Sequence, residues 1–279
     1  MGVTKLDRGG GSWVGYEAAG LDRGTPVLLV MGLGAMRTAW QLQVEALSAR
    51  HRVAWADNRG MGDSGPVTGK LSIGSMAADT IAVADDLGWD RFHVVGISMG
   101  GMTSQEIALA VPDRLISLTL IATHAGGGLA ATLPTAKGLF WWANRFSANL
   151  MGDKERMERS LVHLLYPPAY VGEHKAELQQ RLGSVFGSTG SSDMLRKQLG
   201  AVIGHDTRKR LDRIGAVPTL IVRAGSDILV SPRHSDRLAR GIPGAELFEL
   251  PDSGHGVLAQ CADRLNPKLL AHFEAAETR

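Results

Sequence analysis

The sequence contains a single cysteine, Cys261, among its 279 residues. One thiol cannot form a disulfide within the chain, so the fold does not depend on covalent cross-links. Absence of disulfides is typical of proteins from a reducing compartment. Together with the amino-terminal segment "MGVTKLDRGGGS", which lacks the apolar stretch of a signal peptide, this leads us to expect a cytoplasmic protein.

Long apolar runs and a surplus of one charge are also missing. No uninterrupted apolar run approaches the ~20 residues that a membrane-spanning helix needs. Thirty Lys and Arg residues stand against 28 Asp and Glu residues, which leaves a net charge of +2. Such a balance does not favour nucleic acid or a membrane surface as the main partner. We therefore expect a soluble protein with a small-molecule partner, and the sequence indicates no oligomeric state.

Short apolar runs alternate with segments of helical periodicity in both terminal parts of the chain. Nearly continuous apolar strands separated by helices predict an α/β fold, with a mostly parallel sheet covered by helices on both faces. The segment "SWVGYEAAG" (12–20) alternates instead, which predicts an antiparallel strand of an edge hairpin. The predicted buried strands are "PVLLVMG" (26–32), "HRVAWAD" (51–57), "RFHVVGI" (91–97), "LISLTLIAT" (115–123), "VPTLIVRAG" (217–225) and "AELFELP" (245–251).

The alternation stops between residues 126 and 215. This stretch contains several helix-like segments, such as "AKGLFWWANRFSANLM" and "KERMERSLVHLLYP", and no clear strand. We predict that residues 126–215 form a helical cap, inserted into a core domain made of residues 1–125 and 216–279.

The stretch "VVGISMGGMTSQ" (94–105) places Ser98 where a predicted strand ends and a helix begins. A side chain at such a turn projects into the crevice at the carboxyl ends of the strands, where ligands of α/β sheets bind. A large residue two positions before or after Ser98 would collide with neighbouring backbone, and both Gly96 and Gly100 are glycines. The pattern G-x-S-x-G in this context predicts a nucleophile elbow.

A serine nucleophile needs a base, and the base needs an acid that orients it. Asp227 follows the strand "TLIVRAG", and His255 lies between two glycines in "DSGHGV", after the strand "AELFELP". Both positions fall at carboxyl ends of strands, in the order Ser, Asp, His that an elbow enzyme uses. His124 also follows a strand and is the alternative base, although it would break this order.

The reaction also needs two hydrogen-bond donors for the oxyanion. One is the backbone N–H of Met99, directly after the nucleophile. We assign the second to the N–H of Leu33, because the loop "MGLGAM" after the strand "PVLLV" carries two glycines that let backbone approach a substrate oxygen.

Other motifs do not indicate a cofactor. Gly60, Gly62 and Gly65 spell the dinucleotide pattern G-x-G-x-x-G, but Pro66 and a further turn follow where that pattern requires a helix. We interpret this segment as a structural turn held by Asp57, Arg59 and Asp63. No H-E-x-x-H motif or Cys/His cluster predicts a metal, so we expect neither cofactor nor metal.

Five motifs, in the order "VMGLGAM", "ADNRGMGDSG", "VVGISMGGM", "AGSDILVSP" and "PDSGHG", resemble those of the α/β-hydrolase superfamily, within its cap-bearing esterases and lipase-like hydrolases. The resemblance covers nearly the whole chain. It implies Ser98, Asp227 and His255 as a catalytic triad, with Leu33 and Met99 as oxyanion donors. One departure is Met31, because many relatives have at this position a histidine that supports the oxyanion loop.

These observations predict a serine hydrolase that cleaves carboxylic esters through an acyl-enzyme. Apolar residues of the predicted cap favour an apolar acyl or aromatic substrate. The alternatives are a carbon–carbon bond hydrolase or lyase that uses the same triad, and a ligand-binding receptor with vestigial hydrolase activity. The cap residues in question are Phe140, Trp141, Trp142, Phe146, Leu150, Met151, Leu161, Leu164, Leu165 and Tyr166.

Overall fold

The computed structural model describes residues 2–186 and 192–278, and these residues form one sheet of eight strands. The strand order is β1-β2-β4-β3-β5-β6-β7-β8. Strands β3 to β8 run parallel, whereas β2 is antiparallel to both of its neighbours. The strands are β1 (Thr4–Asp7), β2 (Trp13–Gly20), β3 (Pro26–Val30), β4 (Arg52–Ala56), β5 (Phe92–Ile97), β6 (Leu115–Ile121), β7 (Thr219–Ala224) and β8 (Glu246–Leu250). The predicted mostly parallel sheet is thus confirmed.

The alternating segment 12–20 is confirmed as an antiparallel strand of an edge hairpin, which β1 and β2 form at one side of the sheet. Strand β2 itself lies between β1 and β4. The edge is β1, whose four residues are mostly exposed and contain no apolar run that the sequence pattern could reveal. A short, largely polar edge strand is a common protection against pairing with other chains.

Helices cover both faces of the sheet. Helices α1 (Gln41–Leu47) and α12 (Ala262–Glu277) contribute to one apolar core, and α2 (Ile73–Asp86) and α3 (Met99–Ala110) contribute to the other. Neighbouring residues of the central strands alternate between the two cores: Val27 and Leu29 belong to the first, and Leu28 to the second. This follows from the two-residue period of a strand, and it explains why these strands are apolar throughout.

A helical insertion separates β6 from β7. In the described residues between these strands, the regular elements are helices, and one isolated antiparallel bridge between Gly126 and Asp206 pairs the two ends of the insertion. Residues 187–191 of the predicted cap lie outside the described residues. The helices are α4 (Leu129–Thr132), α5 (Ala136–Leu150), α6 (Lys154–Leu165), α7 (Pro168–Glu173), α8 (Lys175–Phe186) and α9 (Ser192–Ile203).

The chain returns to the core with β7, followed by α10 (Arg233–Gly241), β8 and the short α11 (Val257–Gln260). In the part of the chain that the structure describes, no helix combines the length and hydropathy required to cross a bilayer.

Backbone segments approach each other very closely at the turn between β5 and α3. A Cβ atom added to Gly100 would lie 2.0 Å from the carbonyl oxygen of Val30, and one added to Gly96 would lie 2.3 Å from the carbonyl oxygen of Gly100. Real Cβ atoms do not approach a backbone oxygen this closely. Glycine at both positions is therefore required for α3 to pack against β3 and β5 as it does.

We predict that Gly100→Ala destabilises the protein, because the clash is with backbone that cannot rotate away. The expected loss in the free energy of unfolding is ~1–3 kcal/mol or more. The matched control is Gly200→Ala in α9, where an added Cβ meets nothing within 4 Å. That substitution should raise the free energy of unfolding by up to ~1 kcal/mol, because alanine has the higher helix propensity. Urea denaturation measures both, and equal effects would contradict the steric argument.

Candidate active site

Ser98 sits at the junction of β5 and α3 in a strained backbone conformation, with φ 55° and ψ −122°. Non-glycine residues rarely have positive φ, and such strain persists only where the surroundings enforce it. Here the Ser98 N–H donates to the carbonyl of Ile121 at 2.9 Å, and the hydroxyl of Thr123 donates to the Ser98 carbonyl at 2.6 Å. Strand β6 and the residues after it therefore hold the serine at the carboxyl edge of the sheet.

The loop after β3 passes directly beside the Ser98 side chain. A Cβ atom on Gly32 would lie 3.2 Å from the Ser98 Cβ and 3.8 Å from its Oγ. The next residue is Leu33, and its N–H donates to no acceptor within the described residues. Met99 is the first residue of α3, where an N–H has no partner in the preceding turn. Two backbone donors are thus available near the serine.

Asp227 and His255 form a tight pair at the ends of β7 and β8. The distance from His255 Nδ1 to Asp227 Oδ2 is 2.6 Å, and the side chains are 11% and 1% exposed. The other carboxylate oxygen of Asp227 accepts from the N–H groups of Leu229 and Val230, at 2.8 and 3.0 Å. Because a carboxylate accepts, the imidazole carries its proton on Nδ1, which leaves Nε2 as an acceptor.

The loop that carries His255 is supported from two sides. The Gly254 N–H donates to Gln260 Oε1, and the Gly256 N–H donates to the Leu165 carbonyl, both at 2.8 Å. A Cβ on Gly254 would lie 2.4 Å from the Leu165 oxygen. No sequence pattern predicted Gln260 and Leu165 as supports of this loop. The two glycines around His255 were the signal that another segment packs closely here.

The structure brings the five predicted site residues to the carboxyl edge of the sheet, but it does not join the serine to the histidine by a hydrogen bond. Ser98 follows β5, Asp227 follows β7 and His255 follows β8, while Leu33 follows β3. In the described part of the chain, Ser98 Oγ and His255 Nε2 form no hydrogen bond. Such bonds are often long without a bound substrate, and they tighten in the reacting complex.

His124, the alternative base, has a different environment. It is almost fully buried, and its Nδ1 accepts from the Gly126 N–H at 3.0 Å. Burial lowers its pKa to about 3, and the charges of His234 and His205 contribute in the same direction. An imidazole that accepts a hydrogen bond from a backbone N–H and has a lowered pKa is a poor general base. These contacts assign His124 to the packing around the start of the insertion.

The glycine-rich turn after β4 is organised around the buried carboxylate of Asp57. Its oxygens accept from the Arg37 N–H at 2.7 Å and from the Asp63 N–H at 3.0 Å, and the Arg37 guanidinium is its ion-pair partner. Arg59 pairs with Asp79 of α2 at 2.5 Å. A Cβ on Gly62 would overlap the Asp57 carboxylate. The segment is therefore a turn held by charges, and the next helix starts only at Ile73.

One group in the described residues has ligand atoms spaced for a metal ion, namely His51, His93 and Glu277, within 4.8 Å of one another. They lie near the amino-terminal ends of β4 and β5, at the sheet edge opposite Ser98. His93 Nε2 lies 3.1 Å from the Glu277 carboxylate, and its Nδ1 lies 2.8 Å from Ser117 Oγ. Hydrogen bonding accounts for this arrangement, which joins the end of α12 to the sheet.

Comparison with known proteins places the chain in a family. Residues 25–260 match the family model of the alpha/beta hydrolase fold. The chain therefore belongs to the alpha/beta hydrolase family. It is 34% identical over 264 residues to the protein named "Putative carbamate hydrolase RutD" of Azorhizobium caulinodans, with 94% of this chain and 95% of that protein covered.

Solved structures show the same fold. A thermophilic esterase from Thermogutta terrifontis superposes with a TM-score of 0.82 at 23% identity, and 99% of both chains is covered. An enol-lactonase from Burkholderia xenovorans LB400 superposes with a TM-score of 0.81 at 24% identity, covering 94% of this chain and 97% of that one. At these identities the likeness concerns the fold.

We predict that His124 makes folding stability fall with acidity. Its pKa is about 3 in the folded chain against an ordinary 6.5, so between these values the unfolded chain binds a proton that the folded chain does not. Stability is then lost as the pH falls below 6.5, by roughly 2 kcal/mol from this residue at pH 5.

The control is His124→Asn, which keeps an acceptor for the Gly126 N–H without a titrating ring. Urea denaturation at pH 7 and pH 5 should show the wild type losing about 2 kcal/mol more than the variant. Equal losses would mean that the His124 ring takes up its proton without a cost to folding.

Proposed function

We propose that the protein is a serine hydrolase that cleaves carboxylic esters, with Ser98, Asp227 and His255 as its triad. Family membership and the relatives named as hydrolases support the broader activity. The observation that carries the proposal is the strained Ser98 beside two free backbone N–H groups, at the sheet edge that also bears the Asp227–His255 pair. Residues 126–215 are proposed to act as the cap over this edge.

In the first half-reaction, Ser98 Oγ attacks the ester carbonyl while His255 Nε2 takes its proton. The N–H groups of Leu33 and Met99 stabilise the oxyanion, and a single donor of this kind contributes roughly 2.7–4 kcal/mol to the transition state. Asp227 orients the imidazole and stabilises its positive charge. When the carbon–oxygen bond breaks, the alcohol leaves with the proton held by His255.

In the second half-reaction, water replaces the alcohol. His255 removes a proton from the water, the hydroxide attacks the acyl carbon, and Ser98 Oγ recovers the proton as the acid is released. No step requires a group from outside the chain other than substrate and water.

The side chains around the oxyanion donors favour an apolar acyl group. Leu33 and Met99 pack in one apolar cluster with Met102, Met194 and Val202. By contrast, several of the apolar residues predicted to line the pocket, on α5 and just beyond its end, are 48% to 74% exposed: Phe140, Trp142, Phe146, Leu150 and Met151. The proposed acyl site therefore depends on α9 and the oxyanion loop more than on α5.

Carbamate hydrolysis is the second candidate, because the relative with 34% identity carries that activity in its name. The same residues would serve, since a carbamate also presents a carbonyl to the serine. The difference is that a carbamate carries a nitrogen on the carbonyl carbon. This nitrogen conjugates with the carbonyl, so the carbonyl carbon of a carbamate is less electrophilic than that of an ester.

The test is hydrolysis of p-nitrophenyl esters from acetate to palmitate, beside a p-nitrophenyl carbamate. We expect turnover of the esters, with Ser98→Ala lowering kcat by roughly 10⁶-fold. The chain-length profile then sizes the acyl site. A carbamate preference would favour the second candidate. Absence of turnover by folded protein would overturn both and favour a carbon–carbon substrate or a receptor role.

Asp227→Asn is expected to lower kcat by roughly 10⁴-fold, because an amide favours the wrong imidazole tautomer. An Asn side chain still accepts from the Leu229 and Val230 N–H groups, so the Tm should change little. Ester turnover and thermal unfolding are measured on the same preparation. Full activity in this variant would mean that another carboxylate orients His255.

A further inference from the structure

The oxyanion loop, residues 31–36, receives support from the helical insertion at two backbone positions. The Gly34 N–H donates to the side-chain Oε1 of Gln198 in α9 at 2.9 Å. The Met36 N–H donates to the carbonyl of Val185 in α8 at 3.0 Å. From the core side, Asn58 Nδ2 donates to the carbonyl of Met31 at 3.0 Å. The insertion therefore takes part in shaping a loop that belongs to the core.

Gln198 is fully buried, although glutamine is usually exposed. A backbone N–H can only donate, so the carboxamide oxygen must face Gly34 and the nitrogen must face away. That nitrogen makes no hydrogen bond to the described residues. The Gln198 carboxamide therefore contacts the loop through one hydrogen bond, to the Gly34 N–H. Replacing Gln198 by an apolar residue would chiefly remove this hydrogen bond.

Helix α9 also packs against Gly34 without a gap. A Cβ on Gly34 would lie 2.8 Å from Leu195 Cδ2, and the residue has φ 70°. The backbone conformation favours glycine at this position, and the Leu195 methyl group fills the space beside it. One turn of α9 thus touches Gly34 through an apolar side chain and a hydrogen bond at the same time.

We propose that Gln198 is a positioning residue for the oxyanion hole. The Gly34 N–H belongs to the peptide that follows Leu33, and the proposed donor is the N–H of the peptide that precedes Leu33. The two planes share one Cα atom, so fixing the first restricts the second. Gln198 supplies from the insertion a support that the apolar side chain of Met31 cannot supply by hydrogen bonding. The inference rests on the proposed ester hydrolysis.

The test is Gln198→Met, which keeps the length of the side chain and removes its hydrogen bonds. The control is Lys197→Met, the adjacent residue of α9, which pairs with Asp193 on the solvent side. With p-nitrophenyl butyrate, we expect Gln198→Met to lower kcat about 10- to 100-fold while KM changes by less than about threefold, since the oxyanion forms in the transition state. The control should match the wild type. Unchanged kcat, or a change confined to KM, would overturn the proposal.

Amide hydrogen exchange of residues 31–36 gives a readout that does not depend on turnover. Faster exchange in Gln198→Met, with a Tm near that of the wild type, is the expected result. If wild type lacks ester turnover, the proposed function fails, and exchange alone decides the role of Gln198. If Gln198→Met does not fold, Gln198→Leu replaces it, because leucine is apolar, shorter than methionine and also removes the hydrogen bond to Gly34. Exchange that is unchanged in the variant that folds contradicts the proposal.

Discussion

The approach of the Gly100 backbone to the carbonyl of Val30 is the constraint on which the candidate site depends. It brings the start of α3 against the end of β3, so that the loop carrying Leu33 runs past Ser98. The same closeness forces the sharp turn in which Ser98 has positive φ. The strained conformation of Ser98, the packing of α3 against β3 and the placement of the Leu33 and Met99 N–H groups therefore have one common origin. This origin is a contact between two backbone segments that leaves no room for a side chain at position 100.

The helical insertion contacts three loops that carry proposed site residues. Gln198 holds Gly34 beside Leu33, and Leu165 accepts from Gly256 beside His255. Thr135, just before α5, donates to the Ile228 carbonyl beside Asp227, through its N–H at 3.0 Å and its hydroxyl at 3.1 Å. A segment far away in sequence thus restrains three separate loops. Its position and the geometry of the site are expected to change together.

Much of the core could be predicted, because its signals are local. Buried parallel strands are apolar throughout, and a glycine on each side of Ser98 marks a turn too tight for other residues. The edge strand β1 escaped prediction because four mostly exposed residues carry no periodic pattern. The exposure of several apolar side chains of α5 escaped prediction as well. Residue type alone does not distinguish exposed aromatic residues, such as Phe140 and Trp142, from buried ones. Composition therefore predicted that these residues line a pocket.

The sequence by itself determined the order of the core strands from β2 to β8 along the chain, the family resemblance and the identity of the residues at the carboxyl edge of the sheet. These follow from periodicity and from steric demands within a few residues of each position. Only the tertiary structure decided that His124 is occupied by a backbone N–H, that Gln260 braces the His255 loop and that Gln198 reaches Gly34. The last contact joins residues 164 positions apart, and hydrogen bonds between such distant segments depend on packing that no local pattern records.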